Sequence, residues 1–181
     1  MLSGFKDWLV GMRLNGQHLR WLARWVRGIT KDRAKRWYWQ FEEEYSPHHF
    51  QIGLVAWPGL TYDSNMAGWM SMSLEAFEDG PCWMIHDVQV NRPRNQKRGI
   101  GTALVRASIA LAQRHGGAQK LRGFVTRDDA KTSPFLPAWY AKLGFTVQEG
   151  QGDPAAQFWM DLTPSRPHPP LPFLIETPEQ K

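Results

Sequence analysis

The chain has 181 residues, 42% of them hydrophobic and 22% charged, which suits one globular domain with a modest appendage and excludes a disordered chain. Its single cysteine, Cys82, excludes an internal disulfide and a Cys-cluster metal site, and the six histidines include no H-E-x-x-H pair, so no metal is expected. The net charge of +5 is unevenly spread: residues 1–40 hold nine Lys or Arg against Asp7 and Asp32, and five of the ten tryptophans (Trp8, Trp21, Trp25, Trp37, Trp39).

In chain order, Phe5, Trp8, Leu9, Met12, Leu19, Leu22, Val26 and Ile29 recur at three- and four-residue steps, which predicts helix over 5–29 with a break at Asn15-Gly16. Residues 36–45 fit either state, because Trp37, Trp39 and Phe41 alternate as in a strand while Phe41 and Tyr45 keep a helical step. Strands follow at 50–57, 66–74 and 82–90, with Asp79-Gly80-Pro81 as a turn. A helix at 102–115 ends at Gly116-Gly117, and a strand follows at 121–126. Ser133-Pro134 has the form of an N-cap and first helical position, for a helix stopped by Gly144; strands at 145–147 and 156–162 complete the series. The first three strands suit an antiparallel meander and the later strand–helix–strand units suit parallel crossovers, so the fold class is α/β with a mixed sheet. Three regions result: a basic, Trp-rich helical segment at 1–45 packed on the domain, a core at 46–162, and a Pro-rich tail at 163–181.

No apolar run reaches the roughly 18 residues that span a bilayer. The first ten residues carry Lys6 and Asp7 and offer no small-x-small cleavage site, so neither a signal peptide nor a transmembrane segment is expected and the chain reads as cytoplasmic.

The stretch Gln96-Lys97-Arg98-Gly99-Ile100-Gly101-Thr102 lies between a strand and a helix. Two glycines let backbone N–H groups approach a ligand, the helix start adds unpaired N–H groups and a positive dipole end, and Lys97 and Arg98 add charge. Read alone, it is either a pyrophosphate cradle or a plain strand-to-helix turn. It lacks the Gly-Lys-Ser/Thr of a P-loop and the third glycine of a dinucleotide fingerprint. About forty residues on stands Trp139-Tyr140-Ala141-Lys142-Leu143-Gly144-Phe145.

Together, Gln96-x-x-Gly99-x-Gly101 and Tyr140-x-Lys142-x-Gly144-Phe145 resemble the paired signature of the GNAT-type N-acetyltransferases, over roughly residues 50–162. The resemblance implies a GNAT-like fold whose central mixed sheet, flanked by helices, is splayed at its fourth strand, with acetyl-CoA in the opening. It places the pantetheine arm along the backbone of Val88, Gln89 and Val90, and the pyrophosphate on N–H groups from Lys97 through Arg98, Gly99, Ile100 and Gly101 to Thr102. Ser133 stands where the family often has an asparagine seven residues before the tyrosine, and Tyr140 would stand near the thioester sulfur. The sequence departs from the family in Val90-Asn91-Arg92-Pro93, one residue longer than the usual Val-x-Pro, an addition a bulge can absorb.

The chemistry of such a site is transfer of acetyl to a primary amine by direct attack on the thioester. A lysine-like amine of pKa about 10.4 is neutral in only about one molecule in 2,500 at pH 7, so a base helps. His86, Asp87 and Glu75 are the candidates; His86 is favoured because strand parity puts it on the side of Val88 and Val90. The resemblance implies that the helices of residues 5–29 wall the acceptor site; the basic head also suits a surface for RNA or DNA phosphates or an anionic membrane interface, while the plainest reading packs its tryptophans in the core and leaves its arginines on a solvated face. A second reading of the whole chain follows: a basic nucleic-acid-binding protein on a GNAT-like scaffold that is catalytically weak. The partners expected are an amine acceptor, a nucleic acid or anionic surface at the basic head, and a second copy of the chain in a homodimer.

Overall fold

The computed structural model describes residues 26–31, 37–46, 48–56, 66–91 and 95–162. They form one eight-stranded sheet and three helices: β1 (Val26–Lys31), β2 (Trp37–Ser46), β3 (His49–Ala56), β4 (Met66–Phe77), β5 (Gly80–Val90), α1 (Ile100–His115), β6 (Lys120–Val125), α2 (Arg127–Thr132), α3 (Leu136–Lys142), β7 (Thr146–Glu149) and β8 (Ala156–Asp161). The spatial order is β1-β2-β3-β4-β5-β6-β8-β7. Neighbours run antiparallel except β5 and β6, whose parallel pairing needs the crossover that α1 supplies.

Period-two patterning decides which face is covered. In β4, Met70, Met72 and Leu74 are buried while Ser71, Ser73 and Glu75 on the other face are half-buried. The buried set joins Phe50, Ile52 and Leu54 of β3, Trp83 and Ile85 of β5, and Leu104, Val105 and Leu111 of α1 in a single core. Trp83 is fully buried, and its indole N–H donates to the Gly116 carbonyl at 2.8 Å, so its one polar atom costs nothing to bury. Helix α3 lies on the same face as α1, since Trp139 packs against Gly101. Among the described residues no helix is long and apolar enough to cross a membrane.

Three expectations change. Residues 26–29, read as the end of a helix, belong to strand β1, which pairs with β2 from Val26–Phe41 to Lys31–Trp37. Val26, Ile29 and Thr30 are β-branched, and Gly28 breaks the helical run; strand pairing outweighs a helical spacing carried by two residues. The rest of the helical expectation, residues 5–25, lies outside the described residues, as does the tail from 163. Between β6 and α3 the chain forms α2, which no apolar periodicity announced, since none of its residues is buried. Thr126 caps it by accepting from the Asp129 N–H at 3.1 Å, and the Thr126-x-x-Asp129 pattern was the available signal. Ser133 is consequently the C-cap of α2, its N–H bonded to the Asp129 carbonyl at 2.7 Å, and not the N-cap of α3.

Cys82 is fully buried in β5, and burial pushes its thiol up to about 11. The native protein is therefore expected to leave Ellman's reagent untouched at about pH 8 and to release one thiol equivalent on unfolding. Fast labelling of the native chain would contradict this burial.

Candidate functional site

Among the described residues the sheet opens between β5 and β6. β5 and β6 pair only from Cys82–Lys120 to Ile85–Gly123, although β5 continues beside β4 to Val90 and β6 continues beside β8 to Val125. From His86 to Val90 the β5 backbone therefore has no β6 partner, and a fork begins after Ile85. A clamp closes the other end: Asp79, in the turn before β5, accepts from Lys120 Nζ at 3.0 Å and from Arg122 Nη2 at 2.7 Å. Those hydrogen bonds hold the Asp79 carboxyl below its ordinary range. β5 and β6 are thus tied at their starts and free to diverge at their ends.

The divergence has a local cause. Ser71 pairs with Asp87 and Met72 with Ile85, so His86 is an extra residue on β5. Such a bulge bends its strand and increases its twist. It also reverses side-chain parity. Ile85 lies on the face of α1 with Met72, and beyond the bulge Val88 and Val90 return to that face and pack against the core. His86 points the other way and is exposed with Asp87. The expectation that His86 shares a face with Val88 and Val90 is corrected here: parity counted across an extra residue gives the wrong side.

On its own face His86 is held. Its Nε2 lies 2.6 Å from Ser73 Oγ and 3.1 Å from Glu75 Oε1, and Ser73 Oγ donates to Glu75 Oε1 at 2.8 Å. His49 of β3 lies beyond, with ring centroids 6.1 Å apart. Asp87 is the next residue of β5.

After β5 two asparagines shape the loop. Asn91 N–H donates to the Ala67 carbonyl at 2.9 Å, and buried Asn95 donates through Nδ2 to the Asn91 carbonyl at 2.7 Å. Neither was singled out from the sequence, although loops that must hold one shape often spend buried asparagines on their own carbonyls. Lys97 and Gly99 both take left-handed backbone, at φ 58° and 89°. The first bond of α1 runs from Ala103 N–H to the Gly99 carbonyl, so the N–H groups of Ile100, Gly101 and Thr102 are not used by the helix. No acidic residue stands in the first turn, and Lys97 is exposed beside it. Three donors that the helix does not use, a helix dipole and a cation describe an anion cradle, and a pyrophosphate fits it.

Helix α3 is fastened to that cradle. Trp139 Nε1 donates to Thr102 Oγ1 at 3.2 Å, and the indole covers Gly101. The next residue, Tyr140, is 6% exposed and stacks on Phe158 with ring centroids 3.6 Å apart. Phe158 in turn lies over Gly123, the last residue of β6 that pairs with β5; a Cβ there would come within 2.3 Å of the Phe158 ring. Tyr140 therefore sits over the fork, on the face opposite His86. Its hydroxyl has no partner among the described residues. Burial, with Asp129 adding, pushes the phenol well above its ordinary value of about 10, so it stays protonated.

The structure thus gathers Val88, Gln89 and Val90 on the open edge, Lys97 to Thr102 in the cradle, and Tyr140 and His86 on opposite faces of the fork. Gln96 is exposed at the start of the cradle turn, and Ser133 joins α2 to the turn before α3. Among the described residues no group of three His, Cys, Asp or Glu is placed to hold a metal ion.

The profile of the acetyltransferase (GNAT) family matches residues 20–145. The chain belongs to the GNAT acetyltransferase family. It is an acyltransferase, and the splayed sheet is the family's fold. Solved GNAT structures resemble it at low identity. A GNAT-family protein from Desulfovibrio desulfuricans is 20% identical, with 65% of this chain and 70% of that one covered at a TM-score of 0.48. Nourseothricin acetyltransferase is 18% identical, with 77% and 85% covered at 0.49. A Bacillus subtilis acetyltransferase in complex with CoA is 20% identical, with 66% and 80% covered at 0.47. No curated protein sequence matches the chain. Within the GNAT frame β5 is the strand counted as fourth, and its pairing with β6 ends where the bulge at His86 begins.

Proposed function

We propose that this GNAT protein moves an acetyl group from acetyl-CoA to a primary amine in one direct step. The observation that carries the proposal is the fork after Ile85 opening beside an unused helix N-terminus. An extended pantetheine arm can pair with the free edge at Val88 to Val90 as an added strand while its pyrophosphate rests on the cradle from Lys97 to Thr102. The thioester then lies in the fork, between His86 on one face and Tyr140 on the other.

That division suits the reaction. The amine nitrogen forms a bond to the thioester carbonyl carbon, its surplus proton passes to the His86 imidazole, and the carbonyl oxygen becomes an oxyanion that an unpaired β5 N–H can stabilise. The C–S bond then breaks and the thiolate leaves toward Tyr140. A phenol is a weaker acid than a thiol, the more so when buried, so Tyr140 donates a hydrogen bond to the sulfur and does not surrender its proton. The proton balance is closed by the imidazolium, which returns its proton to solvent while the thiolate is free to take one. Ser133 would bond the cofactor from the α2–α3 junction, and Gln96 would flank the cradle.

A thermal-shift titration with acetyl-CoA, with CoA and ATP beside it, tests the cradle. Ligand at about 100 times its dissociation constant adds about 2.7 kcal/mol, which raises the midpoint by roughly 5–10 °C in a chain of this size. Acetyl-CoA and CoA are expected to give the shift and ATP is not. The variant Lys97→Glu/Gly99→Ala should lose it, because an alanine at φ 89° costs about 1–2 kcal/mol and the added carboxylate opposes the phosphates. Thiol release from acetyl-CoA is then screened with 2-phenylethylamine, lysine and spermidine. No shift at millimolar acetyl-CoA would sink the reading.

A further inference from the structure

We infer that Glu75 and Ser73 are positioning residues that lock His86 in one tautomer, with Nε2 protonated and Nδ1 left bare to take the proton of the acceptor amine. The inference deepens the reaction proposed above and rests on it for the role of His86. The hydrogen-bond directions carry the argument. The Glu75 carboxylate can only accept, and it receives the Ser73 hydroxyl proton at 2.8 Å. Ser73 Oγ has then spent its one proton and can only accept from a further neighbour. His86 Nε2 lies 2.6 Å from that oxygen and 3.1 Å from Glu75 Oε1. Both partners of Nε2 are acceptors, so the hydrogen sits on Nε2. The neutral ring then carries its lone pair on Nδ1, which has no partner among the described residues.

The bulge gives the arrangement its use. As the extra residue of β5, His86 stands where the strand leaves β6, and its side chain is turned to the face away from Tyr140. The neighbouring strand supplies Ser73 and Glu75 two residues apart, hence on one face and in reach of one ring. The charged and titratable groups against the imidazole are Glu75 of β4 and His49 of β3, and Asp87 is the exposed next residue of its own strand. An imidazole free to exchange tautomers would present a bare nitrogen to the acceptor for only part of the time. A fixed ring presents it always, and a carboxylate behind the ring steadies the imidazolium while it holds the proton.

The deciding measurement is a long-range 1H–15N spectrum of the full chain labelled at histidine, recorded at about pH 8.5, with His86 assigned by the signals lost in His86→Gln. The wild type should show a protonated-type Nε2 and a bare, pyridine-type Nδ1 for His86. In Glu75→Gln the amide can donate to Nε2 and Ser73 regains a choice of direction, so the two signals should move toward the average of mixed tautomers. With the best amine of the screen, Glu75→Gln should lower kcat roughly tenfold or more with the KM for acetyl-CoA unchanged. The deficit should shrink as pH rises toward about 10, where the amine sheds its proton unaided. Glu75→Asp should recover part of the loss. A bare Nε2 in the wild type overturns the inference. So does a Glu75→Gln protein with unchanged spectrum and unchanged kcat. The spectrum reports on Glu75 and Ser73 without reference to turnover, whereas an intact kcat in His86→Gln would fell the base role of the preceding proposal, so the two failures are told apart.

Discussion

Replacing Tyr140 with phenylalanine is expected to lower kcat about a hundredfold and to leave the KM for acetyl-CoA within about twofold. The loss falls on kcat because the hydroxyl meets the sulfur only as the C–S bond breaks. In the ground state a neutral thioester sulfur is a poor acceptor, so little binding depends on it. The ring itself remains: phenylalanine keeps the stack on Phe158 at 3.6 Å and the edge contact with Phe145, so stability should change by no more than about 1 kcal/mol. The pH dependence follows from the raised phenol pKa. A group pushed upward keeps its proton beyond the ordinary value of about 10, so the donor is present throughout the working range and the ratio of wild-type to variant rates should be flat from about pH 7 to 10. A ratio that collapses within that window, or a kcat reduced less than threefold, would remove Tyr140 from the reaction.

How much of this site was legible beforehand depended on whether its geometry is local. The shape of the turn before α1 was, since a glycine followed by an Ala- and Leu-rich helix fixes backbone donors within seven residues, and Gly99 takes φ 89° at the helix start; its use as a cradle was one of two readings of that turn until the GNAT resemblance was added. Tyr140 was singled out by the resemblance to the GNAT signature, two residues before Lys142 and four before the glycine that ends α3, and no local geometry in the sequence pointed to it. The eight-stranded sheet was legible where hydrophobic alternation is clean, as in β4, and where a short apolar run meets turn residues, as in β3 before Pro58-Gly59 and β5 after Asp79-Gly80-Pro81. It was misread at β1, where Val26 and Ile29 satisfied a helical step that cross-strand pairing overrode. The face of His86 was beyond reach for a different reason. Nothing in Ile85-His86-Asp87 marks one residue as surplus; the bulge exists only in the pairing with Ser71 and Met72, a relation across more than a dozen positions of chain. A single unpaired residue thus inverted the sidedness of the proposed base, while Ser73 and Glu75 became its partners through a register that the sequence does not write down.

Gly123→Ala should cost about 1–3 kcal/mol and lower the midpoint by roughly 3–10 °C. The new methyl would stand 2.3 Å from Cζ and 2.8 Å from Cε2 of Phe158, so the ring has to move. It cannot move alone: Tyr140 is stacked on one side of it and Phe145 meets it edge-on at 5.3 Å. The displaced Phe158 therefore carries Tyr140 away from the fork, and kcat should fall about tenfold, since small misplacements of a reacting group are costly. A second substitution separates packing from chemistry. In Gly123→Ala/Phe158→Leu the smaller side chain makes room for the methyl, and the midpoint should recover part of its loss. The stack that holds Tyr140 is then gone, so kcat should not recover with it. Recovery of both together would mean that Tyr140 needs only space and not the Phe158 ring; recovery of neither would place the clash in the β5–β6 pairing at Ile85 and Gly123, where the fork itself begins.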